Sequence, residues 1–551
     1  MNANGSRTEK IAHLLKKGSR EVKGRDVQRM NLLAAVAMAD AIKTSLGPNG
    51  LDKLIVDVAG DLTITRDGRI ILDEMEFEHP IAKLLFEAAR ALDREVGDGT
   101  TSLVILAGEL LREASHLMEI GVHPALIIEG YNKAVEKSVE MANETAIRVD
   151  PTDGDLLRKV AKTALAGRMI AEFMDTAPDL AVDAMLQVAE KQGDQYRASL
   201  DDVKIEWKYG EWMGSAELIK GMLLDRGVVH SEMPKKVEGA RLALLAYDLR
   251  VEKPVFDAKV EIGKPESMQR LIDEEVNSLR EMANSIRKAG ANVVVSLKEI
   301  DETVGHFLAQ EGILAVKNIK KWDFERLAKA TGARIVTNTT FLAPEHLGYA
   351  ELVEEEEIEK GKWVFVRGCR NPKAVAILVK ASYRKLAEEG KEAMQDALFS
   401  VKDILEKPFI VAGGGAFEIE VSARLRKWGG SLPGKEQLAV LAFANALEGI
   451  PSALAENGGM DPINTLVELR ARHNRAEIYA GIDAAEKRIA DTMGCGIVEP
   501  LSVKEQVLKG AGELAILILR VDDVLLAPKF KPKLPQQPPG VSFGDYTKSV
   551  E

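Results

Sequence analysis

Cysteine is almost absent from this sequence, which contains only Cys369 and Cys495 among its 551 residues. Two thiols so far apart along the chain do not make a cysteine-ligated zinc site. We interpret them as small, buried apolar residues of a protein from a reducing compartment.

Long apolar runs and an excess of basic charge are also missing. No uncharged apolar run approaches the roughly 18 residues of a membrane helix, and the longest runs are short stretches such as Leu103–Gly108 and Leu514–Leu519. The segment Met1–Arg29 lacks the apolar core of a signal peptide. Lys and Arg number 74 against 86 Asp and Glu, a net charge of -12, which disfavours binding to nucleic acid or to an anionic membrane. We therefore predict a cytoplasmic protein with neither of these partners.

The first part of the chain is predicted to be mostly helical, and the total length predicts several domains. Asp26–Leu46 has apolar residues at helical spacing and stops at a Gly-Pro pair. Two short strands, Leu54–Val58 and Leu62–Thr65, should form a hairpin. Three further helices are predicted here: Pro80–Arg94, Thr100–Met118 and a segment that ends near Ala146.

The middle of the chain has a different pattern. A long amphipathic stretch, Pro265–Lys288, is followed by short apolar runs that alternate with helical segments. This alternation predicts βαβ units with a partly parallel sheet. None of these strands is followed by a glycine fingerprint, so we predict no nucleotide site in this part of the chain. Beyond Gly413–Gly415 the pattern is again helical to about Asn474. In the middle of the chain, the short apolar runs are Asn292–Leu297, Ile313–Val316 and Arg334–Thr337, and the helical segments between them are Asp301–Gln310 and Asp323–Thr331.

The loop Gly97–Ser102 leads directly into a predicted helix and has the residue types of a phosphate site. Glycines let backbone N–H groups approach a phosphate, and the helix N-terminus adds partial positive charge. Three hydroxyl side chains can donate to phosphate oxygens. The Asp98 carboxylate would need a cation between itself and a phosphate, which suggests a Mg²⁺ ligand. An ordinary capped helix after a turn explains the same pattern.

Other candidate residues are unspecific when taken one at a time. The loops Ser45–Gly50 and Gly413–Gly415 are compatible with close approach to a ligand, or with plain flexibility. Asp67 precedes a glycine as a turn residue does, and Asp396 is a helical acid that solvent alone could account for.

Together, and in this order, these segments resemble the group II chaperonins, with the archaeal thermosomes nearest. The resemblance extends along nearly the whole chain. The matching motifs are Leu46–Gly50, Asp67-Gly68, Gly97–Thr101, Ala107–Leu111, Met233–Val237, Leu327–Ala333, Leu347–Glu354, Asn371–Val375, Gly413–Gly415, Leu454–Asn457, Val498–Leu501 and Arg520–Val524.

The resemblance implies a multidomain chaperonin fold with three domains and a built-in lid, so that no separate co-chaperonin is needed. A helix packed wholly within its own domain is the alternative to the lid. The implied parts are a mostly α-helical equatorial ATP-binding domain (1–153 and 405–527), an α+β intermediate hinge domain (154–221 and 371–404), an α/β apical substrate-binding domain (222–370) with a helical protrusion as lid (about 254–288), and a disordered tail (528–551).

The resemblance also implies an ATPase that uses ATP and Mg²⁺, with Asp98 as the metal ligand. Asp67 and Asp396 would flank the attacking water, and Asp396 would arrive only when the hinge closes. The implied nucleotide-binding residues are Leu46, Gly47, Pro48, Gly99, Thr100, Thr101, Ser102, Arg168, Gly414, Gly415 and Glu499.

The chain departs from the family pattern at three single residues and one three-residue segment. Arg66 replaces asparagine, Ile70 replaces threonine, Arg168 replaces a lysine, and Lys380–Ser382 replaces Arg-Gly-Gly. Arginine keeps the charge of lysine but not its geometry. These departures concern the rate and timing of hydrolysis, not the fold.

The resemblance implies an ATP-dependent chaperone that encloses and folds non-native proteins in a double ring of identical or paralogous subunits. The alternative is a divergent ring subunit that binds clients but hydrolyses ATP weakly. A small-molecule kinase would need an acceptor pocket that no motif here provides.

Overall fold

The computed structural model describes residues 20–23, 25–56, 60, 62–75, 79–166, 175–193, 195–210, 215–251, 265–338, 342–358, 361–370 and 372–526. The predicted disordered tail, Arg168 and the first part of the predicted lid lie outside these residues.

Sixteen α-helices and 21 strands occur in the described part of the chain. The helices are α1 Arg25–Lys43, α2 Gly68–Glu74, α3 Pro80–Val96, α4 Thr100–Glu119, α5 Pro124–Thr145, α6 Gly154–Leu165, α7 Ala177–Val188, α8 Pro265–Ala289, α9 Glu302–Gln310, α10 Lys321–Thr331, α11 Arg384–Glu406, α12 Ala416–Gly429, α13 Glu436–Leu447, α14 Gly449–Asn457, α15 Pro462–Asn474 and α16 Leu501–Leu519. The strands are β1 Arg20–Lys23, β2 Lys53–Val56, β3 Leu62–Thr65, β4 Ile147–Arg148, β5 Glu190–Gln192, β6 Gln195–Arg197, β7 Val203–Tyr209, β8 Ser215–Ile219, β9 Met222–Leu224, β10 Lys236–Leu245, β11 Val293–Ser296, β12 Leu314–Val316, β13 Ile335–Val336, β14 Gly348–Ile358, β15 Gly361–Arg367, β16 Val375–Ala381, β17 Phe409–Ala412, β18 Ala480–Asp483, β19 Arg488–Asp491, β20 Val498–Pro500 and β21 Asp523–Leu526.

The largest apolar core combines both ends of the chain. Helices α1 and α3–α5 pack with α12, α13 and α16, and side chains such as Leu85, Leu106 and Leu508 are fully buried there. Tyr131 meets Phe443 edge-on at 5.7 Å. The Tyr131 hydroxyl donates to the Leu110 carbonyl at 2.6 Å, so burial of the ring leaves its polar end satisfied. Strands β1 and β21 pair antiparallel and join the two chain ends.

One helical stretch, Glu436–Asn457, is long and apolar enough by length and composition to cross a membrane. It consists of α13 and α14, and 67% of its most apolar window is buried inside the molecule. The sequence prediction of only short apolar runs overlooked this segment. Its burial against α4, α5 and α12 marks it as a core helix of the first apolar core.

A second core lies between three helices and a three-stranded sheet. Helices α6, α7 and α11 cover the sheet β7-β16-β8, in which β16 runs parallel to β7 and antiparallel to β8. Ile377 of β16 and Leu398 of α11 are fully buried in this core.

The middle of the chain forms a seven-stranded sheet with apolar residues on both faces. Its strand order is β12-β11-β10-β14-β15-β9, with β13 paired to β10. In β11, Val293 and Val295 face one core while Val294 faces the other, as the two-residue period of a strand requires. Helix α10 covers the first face, and α8 with α9 covers the second. The predicted alternation of strands and helices, with parallel pairing of β10, β11 and β12, is confirmed.

Helix α8 is buried along only part of its length. Toward its C-terminal end, Leu279 and Ile286 pack into the second face of the sheet. Earlier in the helix, three apolar side chains are between 43% and 48% exposed: Met268, Leu271 and Ile272. This part of α8 therefore presents an apolar stripe that the described part of the chain leaves about half exposed, and both the lid and the alternative of a helix packed wholly within its own domain stay predictions.

A buried ion pair joins the second core to the seven-stranded sheet. Lys204 of β7 donates to the Asp323 carboxylate of α10 at 2.8 Å and to the Leu223 carbonyl at 2.9 Å. Their side chains are only 6% and 5% exposed. A buried charge that loses its partner is strongly destabilising, so this pair constrains how α10 meets β7.

Replacing Lys204 by Met should therefore lower the free energy of unfolding by roughly 3 kcal/mol. Calorimetry should show this loss as a lower melting temperature. The double variant Lys204→Met, Asp323→Leu should recover most of that loss because it removes both buried charges; the side chains of Glu206 and Arg326, which also pair with them, are 24% and 22% exposed. Equal losses in the single and double variants would show that packing, rather than charge pairing, governs this junction.

Candidate functional site

All three glycine loops singled out in the sequence adopt left-handed backbone at glycine. The positive φ angles are 82° at Gly47, 68° at Gly97, 85° at Gly99, 63° at Gly414 and 80° at Gly415. This region of backbone conformation is open to glycine and costly for other residues. The loops therefore need glycine for their shape.

The loop Gly97–Ser102 lies under helix α11. A Cβ at Gly97 would sit 2.1 Å from the Phe399 ring of α11, so a side chain at this position would push the helix away. Loop and helix are 300 residues apart in sequence, yet their contact depends on the absence of one carbon atom.

Two helices begin at these loops without a side-chain cap. Gly99 precedes α4, Gly415 precedes α12, and neither helix start has a capping side-chain hydrogen bond. The first backbone N–H groups of a helix lack partners within the helix. Uncapped N-termini of this kind are suited to an anion.

The Asp67 turn meets the Gly97–Ser102 loop. Asp67 caps α2 by accepting from the backbone N–H groups of Arg69 at 2.8 Å and Ile70 at 3.3 Å. A Cβ at Gly68 would lie 2.5 Å from the Thr101 hydroxyl oxygen. Asp67 is thus held by its own turn directly beside the start of α4.

Acidic side chains from three separate segments converge here around one guanidinium. Arg69 pairs through Nε with Asp93 at 3.1 Å and through Nη2 with Glu392 at 3.2 Å. Asp67 and Asp396 also interact electrostatically with Arg69. The structure therefore brings Asp67 of the α2 turn and Asp396 of α11 to the same cation.

Asp93 connects this group of acids to Asp98. Burial raises the pKa of Asp93 to about 6; Arg69 opposes the shift, and Asp67 and Asp98 add to it. Asp98 is half-buried and accepts from the Gly99 N–H at 2.6 Å. The site carries concentrated negative charge, which suits a cation more than a bare phosphate.

The loop Gly413–Gly415 lies beside Glu499. Strands β17 and β20 pair antiparallel, and a Cβ at Gly413 would lie 2.8 Å from Glu499 Oε1. Lys504 pairs with Glu499 at 2.7 Å and with Glu418 at 2.8 Å. Burial alone would lower the pKa of Lys504, but the two carboxylates outweigh it and raise the pKa. Glu499 also interacts electrostatically with Asp98.

The loop Leu46–Gly50 is fixed from the other side. Asn457 donates to the Leu46 carbonyl at 2.8 Å, and Asn49 donates to the Ala484 carbonyl at 2.8 Å. The N–H of Ile482, two residues earlier, donates to the Gly414 carbonyl at 2.8 Å. The segment that contains β18 therefore ties this loop to the Gly413–Gly415 loop.

Comparison with known proteins identifies the family of this chain. Residues 38–529 match the model of the TCP-1/cpn60 chaperonin family. The chain is a member of that family. The thermosome beta subunit of Thermococcus kodakarensis is 46% identical over 518 residues, which cover 94% of this chain and 95% of the relative.

Other archaeal chaperonins are equally similar. The thermosome alpha subunit of Sulfolobus acidocaldarius is 47% identical over 545 residues, covering 97% of this chain and 98% of the relative. A thermosome subunit of Pyrococcus abyssi is 45% identical, with 98% of each chain covered. The predicted resemblance to the thermosomes is confirmed.

Two departures from the chaperonin pattern have partners within the described residues. Arg66 pairs with Asp52 at 3.5 Å, and Lys380 of β16 pairs with Glu217 of β8 at 3.3 Å. Both charges are compensated locally. Arg168 lies outside the described residues, so its predicted role stays a prediction.

Sequence reasoning missed several charged residues of this chaperonin site. Arg69 and Asp93 lie close in sequence to the motifs described above. The signal that could have identified Arg69 is its position as a charged residue directly after Asp67-Gly68. Lys504 was not noticed because an isolated lysine in an apolar helix has no motif.

Asp403, also missed, is a buried acid between α11 and α16. It is 6% exposed and accepts from the Ser502 hydroxyl at 2.7 Å. Burial raises the pKa of Asp403 to about 7, with Glu406 and Asp98 adding to the shift and Ser502 and Lys402 opposing it. The folded chaperonin thus holds a proton here at pH values where the unfolded chain has released it.

The sign of the resulting pH dependence is definite. Between about pH 4 and pH 7 the folded state binds one more proton at Asp403 than the unfolded state, so stability falls as pH rises. Asp403→Asn should flatten this slope and stabilise the protein at pH 7.5 by roughly 2–4 kcal/mol in the absence of Mg²⁺. Melting temperatures from pH 5 to pH 7.5 test this, with the exposed Asp155→Asn as the control. Parallel slopes for the parent and Asp403→Asn would contradict the assignment.

Proposed function

We propose that the chain is an ATP-hydrolysing chaperonin subunit that encloses and folds non-native proteins in a double ring. One observation supports the ATPase assignment most strongly. Asp67 and Asp396 both interact electrostatically with Arg69, and Asp98 interacts with Asp93, which pairs with the same arginine, beside the uncapped N-terminus of α4. Carboxylates next to an anion-binding helix start are the parts that phosphoryl transfer to water requires.

In this proposal the phosphates lie at the start of α4. Backbone N–H groups from Gly99 onward and the hydroxyls of Thr100, Thr101 and Ser102 donate to phosphate oxygens. Gly414 and Gly415 allow ribose and base to approach, with Glu499 as the polar group beside them. Leu46, Gly47 and Pro48 form the opposite wall.

The residues present fit a magnesium ion. Asp98 offers a half-buried carboxylate whose neighbour Asp93 adds negative charge, and Mg²⁺ prefers oxygen ligands shared between a carboxylate and phosphates. Asp98 would hold the ion, which when bound would neutralise phosphate charge.

Two carboxylates would act on the attacking water. Asp67 is oriented by two backbone N–H groups, whereas Asp396 is carried on α11. A carboxylate at hydrogen-bond distance orients the water and accepts its proton. Because α11 belongs to the proposed hinge, hydrolysis would depend on closure of that helix over the nucleotide.

The proposed domain layout follows the three apolar regions. The equatorial domain corresponds to the core made from both chain ends, the hinge domain to the second core, and the apical domain to the seven-stranded sheet. The exposed apolar stripe of α8 supports a lid. Apolar residues more than half exposed on the β2–β3 hairpin support burial against a neighbouring subunit: Leu54, Val56, Leu62 and Ile64.

Replacing Asp98 by Ala should weaken Mg-ATP binding, because the cation loses its protein carboxylate while the phosphate charge remains. Calorimetric titration of assembled rings with ATP, with and without Mg²⁺, measures this loss. An affinity equal to the parent's in the presence of Mg²⁺ would remove Asp98 from the site.

Replacing Asp396 by Ala should reduce turnover by about 10²–10⁴ while ATP still binds. Phosphate release and nucleotide titration on the same preparation separate the two effects. Glu388→Ala, an acid of α11 that pairs with Arg384 at 2.8 Å on the same helix, is the matched control. Normal hydrolysis by Asp396→Ala would refute the assignment, and a parent rate near background would instead favour the weakly hydrolysing subunit.

A further inference from the structure

Arg69 links two consecutive helices to a third that is far away in sequence. It belongs to α2, its Nε pairs with Asp93 of α3, and its Nη2 pairs with Glu392 of α11. Side chains of all three residues are between 23% and 32% exposed. The link therefore lies at the edge of the site, where it is partly shielded from water.

The two contacts use adjacent nitrogens of one planar guanidinium, and each goes to a different carboxylate. A planar fork can hold two carboxylates in fixed directions, whereas a lysine presents a single point charge. Here one carboxylate belongs to the helix before the Gly97–Ser102 loop and the other to α11. Arg69 thus fixes the distance between these two helices as well as compensating their charge.

Glu392 and Asp396 lie four residues apart on α11, which places them on the same face of the helix. A contact that holds Glu392 against α2 therefore also presents Asp396 to the Asp67 turn. Removing the Arg69 cation would take one positive charge from among the carboxylates of Asp67, Asp93, Glu392 and Asp396. The increased repulsion between these like charges would favour movement of α11 away from α2.

We propose that Arg69 is a positioning residue that clamps α11 onto α2 and α3 and thereby favours the closed arrangement of α11, in which Asp396 stands beside Asp67. This inference rests on the proposed function for its catalytic consequence. The clamp itself is a property of the nucleotide-free protein. Arg69 acts on turnover through Asp396 and makes no contact with the nucleotide in this scheme.

Hydrogen exchange in nucleotide-free, assembled rings tests the clamp without any turnover. Backbone amides in the first half of α11, residues 384–398, should exchange about tenfold faster or more in Arg69→Ala and in Glu392→Gln than in the parent. Amides of α4 should be unchanged. Arg69→Lys keeps the charge but loses the fork, so its α11 amides should resemble those of Arg69→Ala.

Arg112→Ala is the matched control. Arg112 also joins two helices, since it pairs with Asp40 of α1 at 2.7 Å and with Glu109 of α4 at 3.1 Å, but it lies outside the site. This variant should leave both α11 exchange and phosphate release at the parent values. If Arg69→Ala proves unstable, Glu392→Gln and Arg69→Lys still decide the question.

Turnover adds the second readout. Arg69→Ala should lower kcat by about tenfold with nucleotide affinity within about threefold of the parent, and it should add no further loss in the Asp396→Ala background. Unchanged α11 exchange in Arg69→Ala and Glu392→Gln would overturn the clamp. Loss of nucleotide affinity with unchanged exchange would overturn it too, because Arg69 would then contact phosphate directly. A parent without ATPase activity would refute the proposed function, while the exchange comparison would still test the clamp.

Discussion

The contact between helix α11 and the Gly97–Ser102 loop is the constraint on which the site depends. Phe399 can reach the loop only because Gly97 has no side chain, and the same helix brings Glu392 to Arg69. Asp403, farther along α11, meets Ser502 of α16. One helix of the second core is thus anchored to the first core by an aromatic contact, an ion pair and a buried acid, and the position of Asp396 relative to Asp67 depends on its placement.

The parts of the fold that the sequence predicts well are those with local causes. Helix α4 begins at a glycine and has continuous apolar residues, and the strands β11 and β12 are short apolar runs between helices. Strands β14 and β15 were not predicted. Glu354–Glu357 of β14 places four acids in succession, which hides the two-residue period, and their strand partner β15 supplies Arg367 as a counter-charge to Glu354 and Glu356.

The candidate site likewise has parts that local sequence predicts and parts that depend on distant contacts. Gly97–Ser102 was recognisable from its own residues, because glycines and hydroxyls before a helix suit a phosphate. The sequence did not reveal that Asp67 and Asp396 lie in the same charged cluster. Their arrangement depends on the packing of α11 and on the ion pair of Arg69 with Glu392, which are 323 positions apart. Only the family resemblance connected these two acids beforehand. Arg69, which carries no motif of its own, was found only when the structure placed its neighbours around it.

The cores are apolar, and ion pairs lie at their junctions beside apolar contacts, among them a buried cluster that joins β8 and β16 to β9 and β15. Lys204 and Asp323 join the second core to the sheet, Arg69 and Glu392 join it to the first core, and Lys407 with Glu505 bridges the same boundary. Opening an apolar junction of equal area would expose apolar surface to water at a cost in free energy. Opening an ionic junction costs less, because the separated charges are hydrated again. Ionic junctions therefore define a preferred arrangement while keeping the cost of separation low. In the proposed function, this combination would let α11 move as a unit with its core intact, as a hinge over a nucleotide site requires.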